Sequence, residues 1–410
     1  MFDPYKIRQD FKMFTNKVKM QGHDLVFLDN ASTTFKPNSV LEAIKRYYSY
    51  ETSNSHRGDY DLCYNADQTI QKTRQLVADF INADVDECVF TYGATSALNL
   101  IAFGYARKHL KAGDEILISL EEHASNTLPW FEVAKELGCK IKYIELTKEG
   151  RIIPENVKKA ISEHTKLISI AQVSNVLGYL TNVKEIAKIA HEHGALLSVD
   201  AAQSAPHTKI DVKDLDVDFL SFSGHKMCGP TGIGVLFAKR TILKEMLPVF
   251  VGGGNNVTFH PEHEVDYLDA PQKFEAGTLN IEGVYGLGAA IKYIQNIGLE
   301  NIKEYEQNLR KYAINRMKEV KDLVIYNETA ESGIITFNMK GVFAQDLGTY
   351  LNSKGIAVRT GQHCAKMLPI FLGTPATVRV SFYFYTTKED IDRFIECLKT
   401  GGNFLDAYFA

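Results

Sequence analysis

Residues 195–226 read ALLSVDAAQSAPHTKIDVKDLDVDFLSFSGHK and contain two apolar runs that each lead into polar residues. The runs cover residues 195–200 and 219–222, and their short length and branched or aromatic side chains are typical of buried strands. Asp200 ends the first run, and Lys226 follows the second by four residues. Because ligands collect at the carboxyl ends of strands in open α/β sheets, this stretch predicts an α/β fold with a ligand site at that edge.

The same alternation of strand-like and helix-like segments continues on both sides of this stretch. An apolar spacing near 3.6 over residues 183–193 predicts a helix before the first of the two strands. Further candidate strands lie at residues 87–91, 115–119, 140–144 and 167–171. The alternation predicts a mostly parallel central sheet with helices on both faces.

The pattern changes near residue 297, which predicts a second, smaller domain. A long helical segment, two strand-like runs and a final helix follow, at residues 299–320, 333–338, 378–381 and 388–399. A chain of 410 residues can bury one large core and a smaller second one. We therefore expect a large domain over residues 20–297 and a small α+β domain formed by residues 1–19 and 298–410.

Composition and charge exclude several classes of protein. The 46 basic and 50 acidic residues give a formal net charge of −4, so there is no electrostatic reason to expect a nucleic-acid partner. No apolar run approaches the ~18 residues that cross a bilayer. Residues 1–20 mix both charge signs and lack the apolar stretch of a secretory signal, so we expect a cytoplasmic protein. The six cysteines form no CxxC pair, and we expect neither a metal site nor a disulfide framework.

Lys226 and Asp200 are the first candidate functional residues. Lys226 stands in a run with Ser223, His225 and several glycines, and in such a polar pocket an amine can have its pKa lowered enough to form a Schiff base. Asp200 could keep a pyridinium nitrogen protonated, as pyridoxal 5′-phosphate (PLP) requires. An exposed loop lysine and an aspartate that caps the next helix are the alternatives. The equivalent positions of the two residues after neighbouring strands favour the functional interpretation.

A phosphate site is predicted where residues 91–99, TYGATSALN, lead from a strand through a glycine turn into a helix. Thr95 and Ser96 stand in the first helical turn, where backbone N–H groups and the helix dipole favour a phosphate. Simple capping of the helix is the alternative. His123 follows the next strand, where its imidazole could stack on a cofactor ring and shuttle protons, or be an ordinary surface residue.

Five motifs, spread over essentially the whole chain, resemble those of one enzyme family. They are LDNASTT at 28–34, HRG at 56–58, SGHK at 223–226, FEAGT at 274–278 and RTGQHC at 359–364. On these motifs the sequence resembles the fold-type I PLP enzymes of the class V aminotransferase group, and within that group the SufS-type cysteine desulfurases. The resemblance implies the fold of the fold-type I PLP-dependent transferases, with a large domain and a smaller C-terminal domain.

The resemblance also implies a role for each matching residue. Lys226 carries PLP, and Cys364 is the nucleophile that becomes a persulfide. Asp200 pairs with the pyridine nitrogen, and Gln203 hydrogen-bonds the phenolic oxygen of the cofactor. The phosphate is bound by Thr95, Ser96, Ser223 and His225, together with Thr278 from the partner subunit of a homodimer. His123 stacks on the cofactor ring and is catalytic. Asn175 contacts the cofactor and the substrate carboxylate, and Arg379 binds the same carboxylate. Arg359 contacts the substrate beside Cys364.

Elementary chemistry supports two of these assignments. Arg379 lies in the strand-like run TVRV, and a planar guanidinium can bind an amino-acid carboxylate through two parallel bonds, with a surface ion pair as the alternative. Cys364 follows His363 and lies five residues after Arg359, so positive charge favours a thiolate over a buried, inert thiol. The other cysteines are expected to be structural or receive no role: Cys63, Cys88, Cys139 and Cys397 follow apolar patterns, and Cys228 is ambiguous.

The implied reaction converts L-cysteine, or L-selenocysteine, and leaves sulfur on Cys364 for an acceptor protein of SufE or SufU type in iron–sulfur cluster assembly. Three alternatives stay open: a selenocysteine lyase, another class V PLP transaminase or lyase, and an inactive scaffold of a sulfur-transfer complex. The segment after Cys364 contains Pro369 and Pro375 and cannot move a thiol far, so we expect slow turnover without an acceptor. Residues 252–272 are expected to form a hairpin at the partner's active site, or a surface loop.

Overall fold

A seven-stranded mixed sheet forms the centre of the protein in the computed structural model, which describes residues 2–55 and 58–400. One strand, Gly234–Ala238, runs antiparallel to both of its neighbours, and the remaining neighbours are parallel. The strand order across the sheet is Cys88–Thr91, Gly234–Ala238, Phe219–Ser223, Leu196–Asp200, Thr165–Ala171, Glu115–Ser119 and Lys140–Ile144. The predicted α/β fold with a mostly parallel central sheet is confirmed.

Apart from the edge strand Lys140–Ile144, the strands of this sheet are almost wholly buried, which explains why they appear in the sequence as continuous apolar runs. Every residue of Glu115–Ser119 and of Phe219–Ser223 is buried. The strand Gly234–Ala238 was not predicted, although its sequence GVLFA is a short apolar run of the same kind after a glycine-rich loop. Gly234 is needed there, since a side chain would place its Cβ 2.5 Å from the Cα of Gly93 on the neighbouring strand's turn.

Helices cover the sheet, as the periodicity predicts. The helix Val183–Glu192 begins with a cap from Asn182, whose side chain accepts a hydrogen bond from the backbone of Glu185. It buries one face against the sheet and ends one residue before the predicted end. The other α-helices of this part that have six or more residues are Asn38–Arg46, Asp61–Ile81, Ala94–Leu100, Leu128–Leu137, Pro154–Ala160, Arg240–Glu245 and Ile281–Ile297.

The C-terminal part builds a second, four-stranded antiparallel sheet. Its strands, in spatial order, are Leu323–Ile325, Ile334–Met339, Thr377–Ser381 and Arg359–Gly361. The helices packed with it are Leu299–Met317, Ala344–Ser353 and Lys388–Thr400. The long helix therefore ends three residues before the predicted residue 320.

The chain before residue 30 contributes to both hydrophobic cores. Phe11 belongs to the cluster around the central sheet, whereas Val26 and Leu28 belong to the cluster of the C-terminal part. The short strand Val26–Phe27 also pairs in parallel with Ile356–Ala357. The division into residues 20–297 and residues 1–19 with 298–410 stays a prediction, and residues 401–410 lie outside the described residues.

Residues 252–272 contain a β-hairpin. Its strands are Asn256–Phe259 and Val265–Tyr267, and they pair antiparallel. The side chains of Val257 and Phe259 are exposed. Nowhere in residues 2–55 and 58–400 is there a helix of the length and apolar character that a bilayer crossing needs.

Candidate active site

The ends of two neighbouring parallel strands bring Asp200 and Lys226 together. Asp200 is the last residue of Leu196–Asp200, and it lies opposite Ser221 on Phe219–Ser223. A single helical turn, Gly224–Lys226, follows directly, and it brings Lys226 close enough to Asp200 for each to affect the pKa of the other. Asp200 and Lys226 therefore lie at the same edge of the sheet, and the binding of a ligand at this edge stays a prediction.

Burial shifts the pKa of both groups toward their neutral forms. Burial lowers the pKa of Lys226 to about 8, with further lowering by the guanidinium groups of Arg379 and Arg359, while Asp200 and Cys364 oppose the shift. Burial raises the pKa of Asp200, opposed by Lys226 and by the hydrogen bond that its Oδ1 accepts from the backbone of Ala202 at 2.9 Å. A lysine with this pKa has a substantial neutral fraction near neutral pH and can act as a nucleophile.

Hydroxyl groups collect where the strand Cys88–Thr91 turns into the next helix. The backbone N–H of Ala94 donates to Ser223 Oγ at 2.8 Å, which joins this turn to the strand before Lys226. Thr95 Oγ1 lies 2.7 Å from Ser125 Oγ, and Ser96 Oγ donates to the carbonyl of Gly93 at 3.1 Å. A Cβ on Gly93 would lie 3.3 Å from Ser223 Oγ, so this glycine, at φ 143°, leaves the space between the hydroxyls open.

The backbone around His225 is fixed by the segment that begins with LDNASTT. The carbonyl of His225 accepts hydrogen bonds from Thr34 N at 3.1 Å and from Lys36 Nζ at 3.2 Å. The ring Nδ1 of His225 lies 3.3 Å from Thr33 Oγ1. Burial, together with the nearby Lys226 and Lys36 charges, lowers the pKa of His225 to about 4, so its imidazole is neutral at neutral pH.

His123 lies between the Lys226 turn and the Cys364 loop. Its Nδ1 accepts a hydrogen bond from Ser125 N at 3.1 Å, and the next residue, Ala124, donates its N–H to the carbonyl of Cys364 at 2.7 Å. Burial and the charge of Lys226 lower the pKa of His123 to about 4. A neutral imidazole here leaves Nε2 able to exchange a proton with a bound substrate.

Cys364 is held in a tight turn after the strand Arg359–Gly361. His363 and Cys364 both have left-handed backbone conformations, at φ 52° and 59°. Asn175 Nδ2 donates to the carbonyl of His363 at 2.8 Å, and His363 Nε2 lies 2.8 Å from Thr377 Oγ1. These contacts fix the turn from both sides, and Arg359 Nη2 lies 3.8 Å from Cys364 Sγ.

Exposure separates Cys364 from the other five cysteines. Cys364 is exposed, Cys63, Cys88 and Cys228 are buried, and Cys139 and Cys397 are intermediate. Burial raises the pKa of Cys88 and of Cys228 to about 12. Both thiols therefore stay protonated at neutral pH, which fits the structural role expected for Cys88 and leaves Cys228 without chemistry.

The two arginines meet on the side of the site that faces Cys364. Arg379 is 2% exposed and donates from Nη1 to the carbonyl of Asn175 at 2.7 Å. Its Nη2 lies 3.0 Å from Asp29 Oδ1 and 2.9 Å from Ser32 Oγ. Arg359 Nη1 donates to the same Ser32 Oγ at 2.7 Å. Sequence reasoning assigned no role to Asp29 or Ser32, although the LDNASTT motif contains both.

Gln203 lies with the other predicted site residues, whereas Thr278 lies apart from them. Gln203 is buried beside the site, and its Nε2 donates to the carbonyl of Ala31 at 2.7 Å. Thr278 is exposed and lines a separate cavity of about 180 Å³ with residues such as Asn54, Ser55 and Gly254. Within the described part of one chain, none of the residues around Lys226 lines that cavity. His56 and Arg57 of the HRG motif lie outside the described residues.

A buried carboxyl group behind Asp200 is a second feature that the sequence did not reveal. Glu122 accepts hydrogen bonds from Ser119 Oγ and Asn126 Nδ2, both at 2.7 Å. Burial raises its pKa to about 7, and the charge of Asp200 adds to the shift. Its only sequence signal is its position next to His123, which does not distinguish it from a surface glutamate.

The residues present fit PLP. The cofactor needs an amine for its aldehyde, an anion for its pyridinium nitrogen and hydrogen-bond donors for its phosphate. Lys226, Asp200 and the hydroxyl cluster with the open space at Gly93 supply these three kinds of group. Across the described residues there is no group of His, Cys, Asp and Glu side chains that could hold a metal ion.

Comparisons with known proteins agree with this fold and identify a family. Residues 26–394 match the family Aminotransferase class-V. A protein of Halalkalibacterium halodurans named "Probable cysteine desulfurase" is 46% identical over 389 residues, which is 95% of each chain. The chain therefore belongs to the class V aminotransferase family and is a PLP-dependent enzyme.

Two solved structures of cysteine desulfurases are similar to this chain over almost its whole length. A cysteine desulfurase from Thermococcus onnurineus NA1 has a TM-score of 0.91 and 36% identity, covering 97% of this chain and 98% of its own. The cysteine desulfurase CsdA from Escherichia coli has a TM-score of 0.90 and 33% identity, with the same coverage. The resemblance to cysteine desulfurases and the fold-type I architecture are thus confirmed.

Proposed function

We propose that this protein is a cysteine desulfurase that converts L-cysteine to L-alanine and collects the sulfur on Cys364 as a persulfide. The relatives named cysteine desulfurase support the activity. The observation that carries the proposal for this chain is the placement of Cys364. It is the exposed cysteine of the six, it lies 3.8 Å from an arginine, and its turn is tied to the His123 loop.

Arg379, Arg359 and Asn175 would orient the substrate. Arg379 Nε is buried and has no hydrogen-bond partner among the described residues, so a buried donor is available to a substrate carboxylate. A guanidinium bound to a carboxylate in a buried site gives both affinity and a fixed orientation. With the carboxylate held there, the substrate amine can face Lys226 while the substrate thiol faces Cys364.

Lys226 would bind the cofactor covalently and then serve as the base at the substrate Cα. When bound, PLP supplies an electron sink for the bonds around that carbon. The neutral fraction of Lys226 that its lowered pKa allows can take the Cα proton and return it elsewhere on the same molecule. His123, neutral and close by, is placed to exchange protons with the departing product.

The transfer of sulfur from L-cysteine to Cys364 needs no added oxidant, because the carbon that loses sulfur is reduced as the persulfide forms. Cys364 Sγ attacks the substrate sulfur, an S–S bond forms, and the C–S bond of the substrate breaks with its electron pair moving to Cβ. A proton then replaces sulfur at Cβ, so that L-cysteine and one thiol give L-alanine and one persulfide. The guanidinium of Arg359 beside Cys364 stabilises negative charge on the attacking sulfur.

The finer features of the SufS type are part of the same proposal. The persulfide passes to an acceptor protein of SufE or SufU type for iron–sulfur cluster assembly in the cytoplasm. A homodimer is supported by the exposed Thr278 and by four exposed apolar side chains, with exposed fractions of 61% to 73% at Phe250, Val251, Val257 and Phe259. In that dimer Thr278 completes the phosphate site of the partner subunit.

Product analysis with matched cysteine variants tests the proposal. The PLP-loaded protein is mixed with L-cysteine and a thiol reductant, and alanine and sulfide are quantified together. We expect equal yields that vanish in Cys364→Ala and persist in Cys139→Ala, a control at a partly exposed cysteine. The change in cofactor absorbance on adding L-cysteine should persist in both variants.

Other outcomes would overturn the proposal in distinguishable ways. Products that are unaffected by Cys364→Ala, or pyruvate in place of alanine, would indicate a lyase or transaminase. A protein that binds no PLP would be a scaffold.

A further inference from the structure

A single hydroxyl group connects the two arginines of the site. Ser32 Oγ lies 2.7 Å from Arg359 Nη1 and 2.9 Å from Arg379 Nη2, and both guanidinium groups donate to it. Its own proton is donated to Asp29 Oδ1 at 2.7 Å. The same Asp29 oxygen accepts from Arg379 Nη2 at 3.0 Å. All four side chains therefore form one closed hydrogen-bonded group.

The carboxylate of Asp29 reduces the repulsion between the two guanidinium groups. Two guanidinium groups that converge on one point repel each other, and burial of Arg379 increases the cost. Burial lowers the pKa of Arg379, Asp29 opposes this shift, and Arg359 adds a smaller lowering. Asp29 is thus the anion that allows a buried arginine and a second arginine to remain side by side before a substrate carboxylate arrives.

The backbone holds Asp29 and Ser32 in place independently of the arginines. Ser32 N donates to Asp29 O at 3.1 Å, and Asp29 forms a parallel bridge to Ser381, two residues beyond Arg379 on its strand. The pair is therefore fixed to the same strand that carries Arg379. A rigid support of this kind sets the position of the long arginine side chains and reduces the entropy lost when they bind a ligand.

We propose that Asp29 and Ser32 are positioning residues that hold Arg359 and Arg379 ready for the carboxylate of an α-amino acid and thereby set the preference for amino acids over simple amines. This inference rests on the proposed binding of the substrate carboxylate by these arginines. It predicts that loss of the pair weakens only ligands that carry a carboxylate. A purely structural role would affect all ligands alike.

L-Alanine and ethylamine provide the matched ligands, because they differ only by the carboxylate. The dissociation constant of each is measured from the change in cofactor absorbance of the PLP-loaded wild type and of Asp29→Asn, Ser32→Ala and Ser32→Thr. We expect Asp29→Asn and Ser32→Ala to weaken L-alanine by roughly 10- to 100-fold, the size of one lost charge-assisted hydrogen bond. Ethylamine should change by less than about twofold, a small fraction of the energy of one hydrogen bond.

Two further readouts separate positioning from folding. Ser32→Thr keeps the hydroxyl and should restore most of the affinity for L-alanine, and KM for L-cysteine should rise in Ser32→Ala more than kcat falls. Equal weakening of L-alanine and ethylamine, or no weakening of either, would overturn the proposal. Because the binding measurement does not need sulfur transfer, failure of the desulfurase proposal would appear separately, as L-alanine binding without formation of alanine from L-cysteine.

Discussion

Replacement of Glu275 by glutamine is expected to destabilise the protein far more than the same change at Glu136. Arg74 and Glu275 form a bidentate ion pair with distances of 2.6 and 2.8 Å, and their side chains are 1% and 3% exposed. Arg107 and Glu136 form a pair of the same residue types at 2.9 Å, with exposed fractions of 47% and 46%. The two pairs therefore differ strongly in burial, and both nitrogens of Arg107 contact a single oxygen of Glu136, whereas the buried pair uses both carboxylate oxygens.

The expected magnitude follows from that difference in burial. Glutamine at 275 leaves the guanidinium of Arg74 buried without a counter-charge, and removal of one partner of a buried pair costs about 3–5 kcal/mol. Glu275 Oε1 also accepts from the backbone N–H of Phe90 at 2.7 Å, which links the pair to the strand Cys88–Thr91. The exposed pair is worth about 0–1 kcal/mol. The two substitutions should therefore differ by at least about 2 kcal/mol in the free energy of unfolding.

Urea unfolding of the PLP-loaded protein, followed by circular dichroism, measures both changes. The double variant Arg74→Met with Glu275→Gln should recover part of the loss, because it removes the buried charge that the single variant leaves unpaired. Loss of less than about 1 kcal/mol in Glu275→Gln, or equal losses at Glu275 and Glu136, would refute the reasoning from burial.

Two further predictions concern the chemistry of the site. The pKa of Lys226 is lowered to about 8, so its neutral amine forms progressively as the pH rises to that value. The rate of PLP incorporation into the apoprotein should therefore increase with pH and level off above about 8. A rate that keeps rising to about pH 10 would contradict the lowered pKa. Iodoacetamide at neutral pH should modify Cys364 well before Cys228 or Cys88, because Cys364 is exposed and burial raises the pKa of the other two thiols to about 12. Peptide mass spectrometry measures the order of modification. Modification of Cys228 as early as Cys364 would contradict the protection expected from its burial.

The sequence predicted the central elements of the fold because their physical signals are local. The strand Lys140–Ile144 and the strand Glu115–Ser119 have the predicted bounds, and most other predicted strands differ by one or two residues at an end. Short apolar runs and 3.6-residue spacing need no knowledge of the rest of the chain. The strand Gly234–Ala238 has the same local signal and was not predicted; what the structure adds is its antiparallel pairing with Phe219–Ser223 and with the distant strand Cys88–Thr91.

The candidate site was predicted unevenly for the same reason. Lys226 and Asp200 follow strands, and the rule that such positions face a common edge places them without a structure. Asp29 and Ser32 belong to a segment almost 350 residues from Arg379, and nothing in their local sequence indicates a contact with an arginine. Glu122 likewise becomes a buried carboxyl group only in the folded chain, where the charge of the distant Asp200 acts on it.

By itself, the sequence determined the α/β fold and, through its motifs, the enzyme family, and it pointed to Lys226, Asp200 and Cys364 as candidate site residues. These follow from residue type and spacing, which are encoded locally. Only the tertiary structure decided which cysteine is exposed, which carboxyl groups are buried, and how Arg359 and Arg379 are held together by Ser32. Exposure, pKa and hydrogen-bond partners depend on the distances between segments that lie far apart in the chain, and those distances exist only once the chain is folded.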